Sequence, residues 1–248
     1  MKSALVTGSS RGIGKAAAQM LAKHGWRVAV HYNSNASTAR ETVASLNGDD
    51  HFSIQADLGI SLDCRRMMKE VLERVGKLDL LVNNAGIYDL HPPTETGEQD
   101  WVNAWERTLQ VNLTSPALLC YLAARHMMQN REGRIINISS RGAFRGEPDA
   151  PAYGASKAGL NAMSQSFAKA LAPYNILVFV VAPGWVETDM ASPYLDGPDG
   201  KAFAAQSPLG RAATPEEIGR TILFLATDAP ASMTGAIIDV NGASYLRT

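Results

Sequence analysis

The chain alternates almost without break between short apolar runs and longer segments with helical spacing. Apolar runs fall at 4–6, 28–32, 51–55, 78–82, 134–138, 176–181 and 236–240, and helical patterns at 12–24, 36–46, 62–75, 101–129, 152–172 and 215–226. The run Ile176-Leu-Val-Phe-Val-Val-Ala182 has no polar alternation, as suits a strand covered on both faces. Strand–helix–strand alternation of this kind predicts an α/β fold, a parallel sheet doubly wound with helices on both faces. Its crossovers are expected to be right-handed. No low-complexity linker or internal repeat divides the chain, so residues 1–248 read as one domain.

Local signals refine this outline. Thr214-Pro-Glu-Glu217 carries a Thr cap, a Pro at the first helical position and a Glu at the third, and predicts a helix start. Thr96-Gly-Glu-Gln99 reads as a second capping box. Met67-Met68 and Met127-Met128 read as core or interface filler. Two stretches look irregular: 87–100, with His91-Pro-Pro93, and 189–210, with Pro193, Gly197, Pro198, Gly200 and Pro208. Both follow strand ends, where open α/β sheets bind ligands. The second is expected to be a substrate loop and lid.

Composition excludes several classes of function. Net charge is −1 over 248 residues, with no basic patch for nucleic acid and no acidic or basic tail. Cys64 and Cys120 match no metal or redox spacing and are expected to be buried. The five His are scattered, so no metal site is expected. His31 alone falls near the predicted cofactor site, and His91 is expected at the surface, with the edge of a substrate pocket as the alternative. The first strand begins almost at Met1, leaving no room for a signal peptide. No apolar run reaches the roughly 20 residues that span a bilayer. These features point to a cytoplasmic protein.

The chemistry is carried by Tyr153-Gly-Ala-Ser-Lys157. Four-residue spacing on a helix puts the phenol and the ammonium on one face. Ser140 lies thirteen residues upstream, at the end of Gly133-Arg-Ile-Ile-Asn-Ile-Ser-Ser140. Reducing a ketone requires a proton on oxygen as hydride reaches carbon. A free phenol, with a pKa of about 10, gives up its proton reluctantly, and a nearby cation is expected to lower that value. Lys157 is spaced to do so, and an oxidised nicotinamide would add a second positive charge. Ser140 would hold the substrate oxygen. The set predicts a general acid in reduction and a general base in oxidation.

A nucleotide cradle precedes it. Thr7-Gly-Ser-Ser-Arg-Gly-Ile-Gly14 follows the first strand and opens the first helix, with Gly8, Gly12 and Gly14 letting the backbone approach a pyrophosphate. Ser10, Arg11 and Ile13 belong to the same loop. An acid at the end of strand two would bind the ribose of NAD and repel a 2′-phosphate. The sequence there is Val30-His-Tyr-Asn-Ser34, without an acid. Arg11 suits a phosphate, with Asn33 and Ser34 as added donors. NADP(H) is therefore the expected cofactor, with NAD(H) possible. Asp57, beside Leu58, follows strand three at the predicted adenine edge. Asn83-Asn-Ala-Gly86, containing Asn84 and Ala85, brings backbone near the second ribose.

Taken with Asn112 and with Pro183-Gly184 and Thr188, these residues resemble the motif set of the short-chain dehydrogenases/reductases over nearly the whole chain. The resemblance implies a seven-stranded Rossmann-type sheet and a catalytic set of Asn112, Ser140, Tyr153 and Lys157. Asn112 would kink its helix and hold a relay water, Val186 would line the cofactor, and Thr188 would bond the nicotinamide carboxamide. It also implies a homotetramer, with the helices at 101–129 and 152–172 at one interface and Ala155, Ala158 and Ala162 allowing close approach. Ala182-Pro-Gly-Trp-Val-Glu-Thr-Asp-Met190 and Thr234-Gly-Ala-Ile-Ile-Asp-Val-Asn-Gly242 look most like the 3-oxoacyl-acyl-carrier-protein reductases. That implies an NADP(H)-dependent oxidoreductase interconverting a ketone and a secondary alcohol on a small molecule, 3-oxoacyl-thioester reductase-like. Sugar, polyol or steroid dehydrogenases share the scaffold. A nucleotide-sensing non-enzyme would need neither Tyr153 nor Lys157. Arg131 matches the basic surface of the carrier reductases, while Tyr174 replaces a second base. Phe144, Trp185, Met190 and Tyr194 are expected to line the substrate pocket, near Arg141, Arg145 and Glu147.

Overall fold

A computed structural model describes residues 1–247. Seven strands, β1 Ser3–Val6, β2 Arg27–Tyr32, β3 Phe52–Gln55, β4 Leu80–Asn83, β5 Gly133–Ile138, β6 Ile176–Pro183 and β7 Ile237–Val240, form one sheet in the order β3-β2-β1-β4-β5-β6-β7. Every pairing is parallel. The helices are α1 Gly12–Lys23, α2 Ala36–Ala44, α3 Ser61–Val75, α4 Glu98–Leu109, α5 Ser115–Asn130, α6 Gly142–Arg145, α7 Pro151–Leu171, α8 Ser192–Leu195, α9 Gly200–Ala205 and α10 Pro215–Thr227. The result is the doubly wound α/β sheet expected from the alternation. No helix among the described residues is long and apolar enough to cross a membrane.

The two-residue period of the strands builds two cores. Val6, Val28, Val30, Val82, Ile136 and Phe179 face α1 and α10, represented by Leu21, Ile218 and Ile222. The intervening residues Leu5, Ala29, Leu81, Ile135 and Val178 face α3, α5 and α7, represented by Met67, Leu119 and Leu171. Central strands are therefore covered on both faces, which is why most of their positions are apolar and β6 reads as an unbroken run. Met67, Met68 and Met127 are fully packed, and both cysteines are buried.

Topology positions the functional site. The chain leaves β1 toward β2 on one side, and later returns to add β4 on the other side of β1. The loops after β1 and β4 diverge at this reversal and open a crevice at the C-terminal strand ends. The glycine loop, Asn83–Gly86, Ser140 and the Pro183-Gly184 turn all lie at that edge.

Two helix expectations are corrected. The 101–129 segment begins at Glu98 and is split by a π-turn, Gln110–Thr114, into α4 and α5. Such a turn inserts one residue into the helical ladder and leaves no trace in the apolar period. Thr96 does not cap α4: the cap position is Gly97, with no side-chain bond, and the Thr96 N–H donates to the Pro92 carbonyl. The helix starts one residue later than the spacing predicts, so the cap position falls on Gly97, which has no side chain to accept from it. Thr214 does form its predicted capping box with Glu217.

Candidate active site

The cradle is built by backbone crowding. The Gly14 α-carbon lies so close to the Gly8 carbonyl and the Asn84 amide that an added Cβ would stand 2.4 Å and 2.6 Å from them. Gly8 takes a positive φ of 60°, and a Cβ there would meet the Ala85 backbone at 2.9 Å. Thr7 Oγ1 accepts from the N–H groups of Asn84 and Ala85 at 2.9 and 3.0 Å. The Asn84 side chain donates to the Thr7 and Gly8 carbonyls at 2.9 and 3.1 Å. Loops β1–α1 and that after β4 are thus one unit. Helix α1 begins with no side-chain cap and no acid in its first turn, leaving N–H groups and a positive dipole end for a phosphate. The residues present fit a dinucleotide.

His31 supports this loop from below. It is buried, accepts the Gly8 N–H at Nδ1 (2.9 Å) and donates from Nε2 to the Ala56 carbonyl (3.1 Å). That pattern requires the neutral ring, and burial lowers its pKa to about 4. A group with a depressed cationic pKa stabilises the fold fully above its unfolded value near 6.5. The contribution is lost as pH falls from about 6.5 to about 4, and amounts to about 3 kcal/mol. Urea melts across that range are expected to show falling stability with acid, and His31→Gln should flatten the slope. An unchanged slope in the variant would refute this assignment.

The other cofactor candidates are distributed around the crevice. Arg11 is 72% exposed and ion-paired with Asp189, 68% exposed, at 3.2 Å. Ser10 receives the Thr42 hydroxyl at its carbonyl. Asn33 and Ser34 are exposed beyond β2. Asp57 caps its own turn through the Gly59 N–H at 2.7 Å, and Leu58 is buried beside it. Gly184 abuts Asn241, Val186 is buried and bridges to Ala213, and the Thr188 methyl packs on Gly12.

Ser140, Tyr153 and Lys157 converge at the end of β5. Lys157 is buried, its Nζ donates to the Ile138 carbonyl at 2.8 Å and stands 5.7 Å from the Tyr153 ring centre. Ser140 Oγ accepts the Gly142 N–H at 3.0 Å, which leaves its hydrogen free to donate. Burial pushes the Tyr153 phenol up to about 12, against an opposing pull from Ser140, and pushes Lys157 down to about 8. The expected lowering of the phenol by Lys157 is therefore corrected for the protein by itself. Desolvation dominates, and the ammonium is turned to a carbonyl. Asn112 sits in the π-turn, with its side chain donating to the Ile87 carbonyl and accepting its N–H, both at 2.9 Å. The amide thus locks the loop after β4 to α4–α5.

The substrate side differs in detail from expectation. Tyr88 packs edge-on to Tyr153 at 4.8 Å and 6.1 Å from Tyr194, which lies 5.4 Å from Trp185. Phe203 closes on Trp185 at 5.1 Å. Tyr88 was not singled out by sequence. Its signal was its place two residues after Gly86 at a strand end. Phe144 is turned away, stacked with Tyr245 and under Arg247. Met190 is half exposed. His91 is fully buried, not at the surface, where it accepts the Ala152 N–H at 3.1 Å and ties the loop to the start of α7. Segment 189–210 folds into α8 and α9 and borders a cleft of about 470 Å³ beside Thr188.

Comparison with known proteins places this geometry in context. A family profile described as "Enoyl-(Acyl carrier protein) reductase" matches residues 8–243. The chain is 37% identical to the 3-oxoacyl-[acyl-carrier-protein] reductase FabG of Aquifex aeolicus (strain VF5), covering 98% of this chain and 97% of the relative. It is 38% identical to the FabG of Staphylococcus aureus (strain Mu50 / ATCC 700699), over 99% and 98%. Among solved structures, the angucycline C-6 ketoreductase LanV with bound NADP superposes with a TM-score of 0.87 at 34% identity, covering 98% of this chain and 95% of that one.

Proposed function

The chain belongs to the short-chain dehydrogenase/reductase family, enzymes that act on CH–OH and C=O groups, and from that premise we propose that it is an NADP(H)-dependent ketone reductase. The observation that carries the reading is the convergence of a protonated, half-buried phenol, a free serine hydroxyl and a buried ammonium at the mouth of a glycine cradle. NADPH, when bound, supplies the hydride. Tyr153 gives the proton to the carbonyl oxygen, and Ser140 donates a hydrogen bond to that oxygen and orients it. Lys157 supplies positive charge beside the phenol and is positioned by Ile138. Asn112 holds the loop after β4 in register through Ile87. Gly8, Gly12 and Gly14 receive the pyrophosphate. The relatives' names, two 3-oxoacyl reductases and a ketoreductase with NADP, support a ketone and the phosphorylated cofactor. Exposed Ala155, Ala158 and Ala162 on α7 support a homotetramer built through that helix. The test is turnover of purified protein with NADPH on ketones, sugars and acyl thioesters. Turnover confined to sugars or polyols would overturn the reading.

Docking of an acidic carrier protein is expected to be weak, and the natural substrate to be a free ketone or thioester. Arg131 is spent on the Pro173 carbonyl at 2.9 Å and the Tyr174 ring at 6.0 Å. Arg134, expected to add surface charge, is half-buried and donates to the Leu225 carbonyl at 2.5 Å. A carrier needs a basic patch for steering and register. We expect kcat/KM for a 3-oxoacyl carrier substrate to match that for the same acyl group on a small thiol, with little salt effect. A large, salt-sensitive preference for the carrier form would reverse this conclusion.

A further inference from the structure

Arg141 follows Ser140 directly and is only 4% exposed, with its guanidinium 5.8 Å from the Trp185 ring centre. Its Nη2 donates to Gln206 Oε1 at 2.5 Å. Arg145 Nη1 donates to the same oxygen at 3.4 Å, and Trp185 Nε1 donates to it at 3.3 Å. Three donors, two of them cationic, thus converge on one neutral amide oxygen. The Nη1 of Arg141 is buried and has no partner among the described residues. Glu147, the acid whose charge acts on Arg141, is engaged with Arg145 at 3.4 Å and accepts the Tyr88 hydroxyl at 3.5 Å. Burial, with Arg145 adding repulsion, lowers the Arg141 guanidinium to about 10. A buried cation is costly unless it is paired and hydrogen-bonded. An anionic oxygen would satisfy both needs, because guanidinium bonds to anions are the strong ones.

The position of this donor set gives it meaning. Tyr88, Tyr194 and Trp185 form a continuous aromatic wall from Tyr153 to Arg141. Gln206 lies just beyond α9, in the same segment as Tyr194 and Phe203 of that wall. Aromatic rings, here mostly edge-on to one another, favour an aromatic ligand through offset or edge-to-face contact. We propose that Arg141, Arg145 and Trp185 form an anion subsite of the substrate pocket, selecting a flat aromatic ketone that carries an ionised oxygen, with the Gln206 amide holding that place beforehand. The proposal rests on the ketone-reductase reading for its substrate, but not for its binding test.

The probes are 4-acetylbenzoate, 4-hydroxyacetophenone and methyl 4-acetylbenzoate, with two-ring homologues to vary the spacing. Binding is measured by calorimetry to the enzyme–NADP+ complex, in which a ketone cannot be reduced. The carboxylate or the ionised phenol is expected to bind roughly ten- to a hundred-fold more tightly than the ester, and the comparison of the two decides which oxygen is preferred. Arg141→Gln should abolish that preference, and Arg141→Lys should keep part of it if the first variant fails to fold. Equal affinity of acid, phenol and ester for the unaltered enzyme would overturn the proposal, as would a preference that survives Arg141→Gln. Turnover of the same ketones with NADPH is read separately. Reduction without an anion preference sinks the subsite alone, whereas tight anion binding without reduction of any ketone sinks the reductase reading alone.

Discussion

Tyr153→Phe is expected to lose about 10²–10⁴-fold in turnover, the usual contribution of a positioned general acid, while still binding NADPH. The substitution removes one oxygen from a ring held edge-on by Tyr88 at 4.8 Å, so the site should keep its shape. The raised phenol pKa of about 12 gives the reaction a direction in pH. A proton donor works below its pKa, so the phenol stays protonated between pH 6 and 9, and ketone reduction should fall only as Lys157 loses its charge above about pH 8. A base works above its pKa, so alcohol oxidation should climb throughout that range. Stopped-flow measurement of both directions checks the pair of claims. Near-normal turnover of the variant on a good ketone, or oxidation that falls as pH rises, would remove Tyr153 from the role.

The fold was legible because five of the seven strands sit in the sheet interior, between the edge strands β3 and β7, and the helices cover its two faces. Val28–Val30 and Ile176–Pro183 need no polar positions, so their runs are continuous. The site was legible where chemistry depends on local spacing, as with Tyr153 and Lys157 on one turn of α7. It was illegible where a side chain is used by a distant backbone. His91 looks like a loop histidine until α7 supplies the Ala152 N–H. Asn112 shows its residue type, but not that its amide pairs with Ile87 across 25 positions. The pKa of Tyr153 failed for the same reason. Sequence gives the neighbour in the helix, but not the burial that desolvates the phenol, with Tyr88 packed edge-on at 4.8 Å.

NADPH is expected to bind about ten- to a hundred-fold more tightly than NADH, because a charge-assisted hydrogen bond is worth roughly 1.5–3 kcal/mol. The end of β2 offers no acid to repel a 2′-phosphate, and His31, buried beneath the glycine loop, offers no side chain to the ribose. Arg11, with Asn33 and Ser34 as added donors, is then the residue expected to read the phosphate. It is engaged with Asp189 at 3.2 Å, but both side chains are largely exposed, and exposed pairs are worth only about 0–1 kcal/mol. A phosphate should therefore displace the carboxylate. Arg11→Ala should cost NADPH most of its advantage and leave NADH almost unmoved. Asp189→Asn should tighten NADPH by up to about five-fold, since the guanidinium no longer has to leave a partner. Fluorescence titrations of both cofactors against the three proteins measure this directly, and added salt should shrink the NADPH advantage. If NADH binds as tightly as NADPH and neither substitution changes the ratio, Arg11 is a solvated loop charge and the cofactor preference has another source.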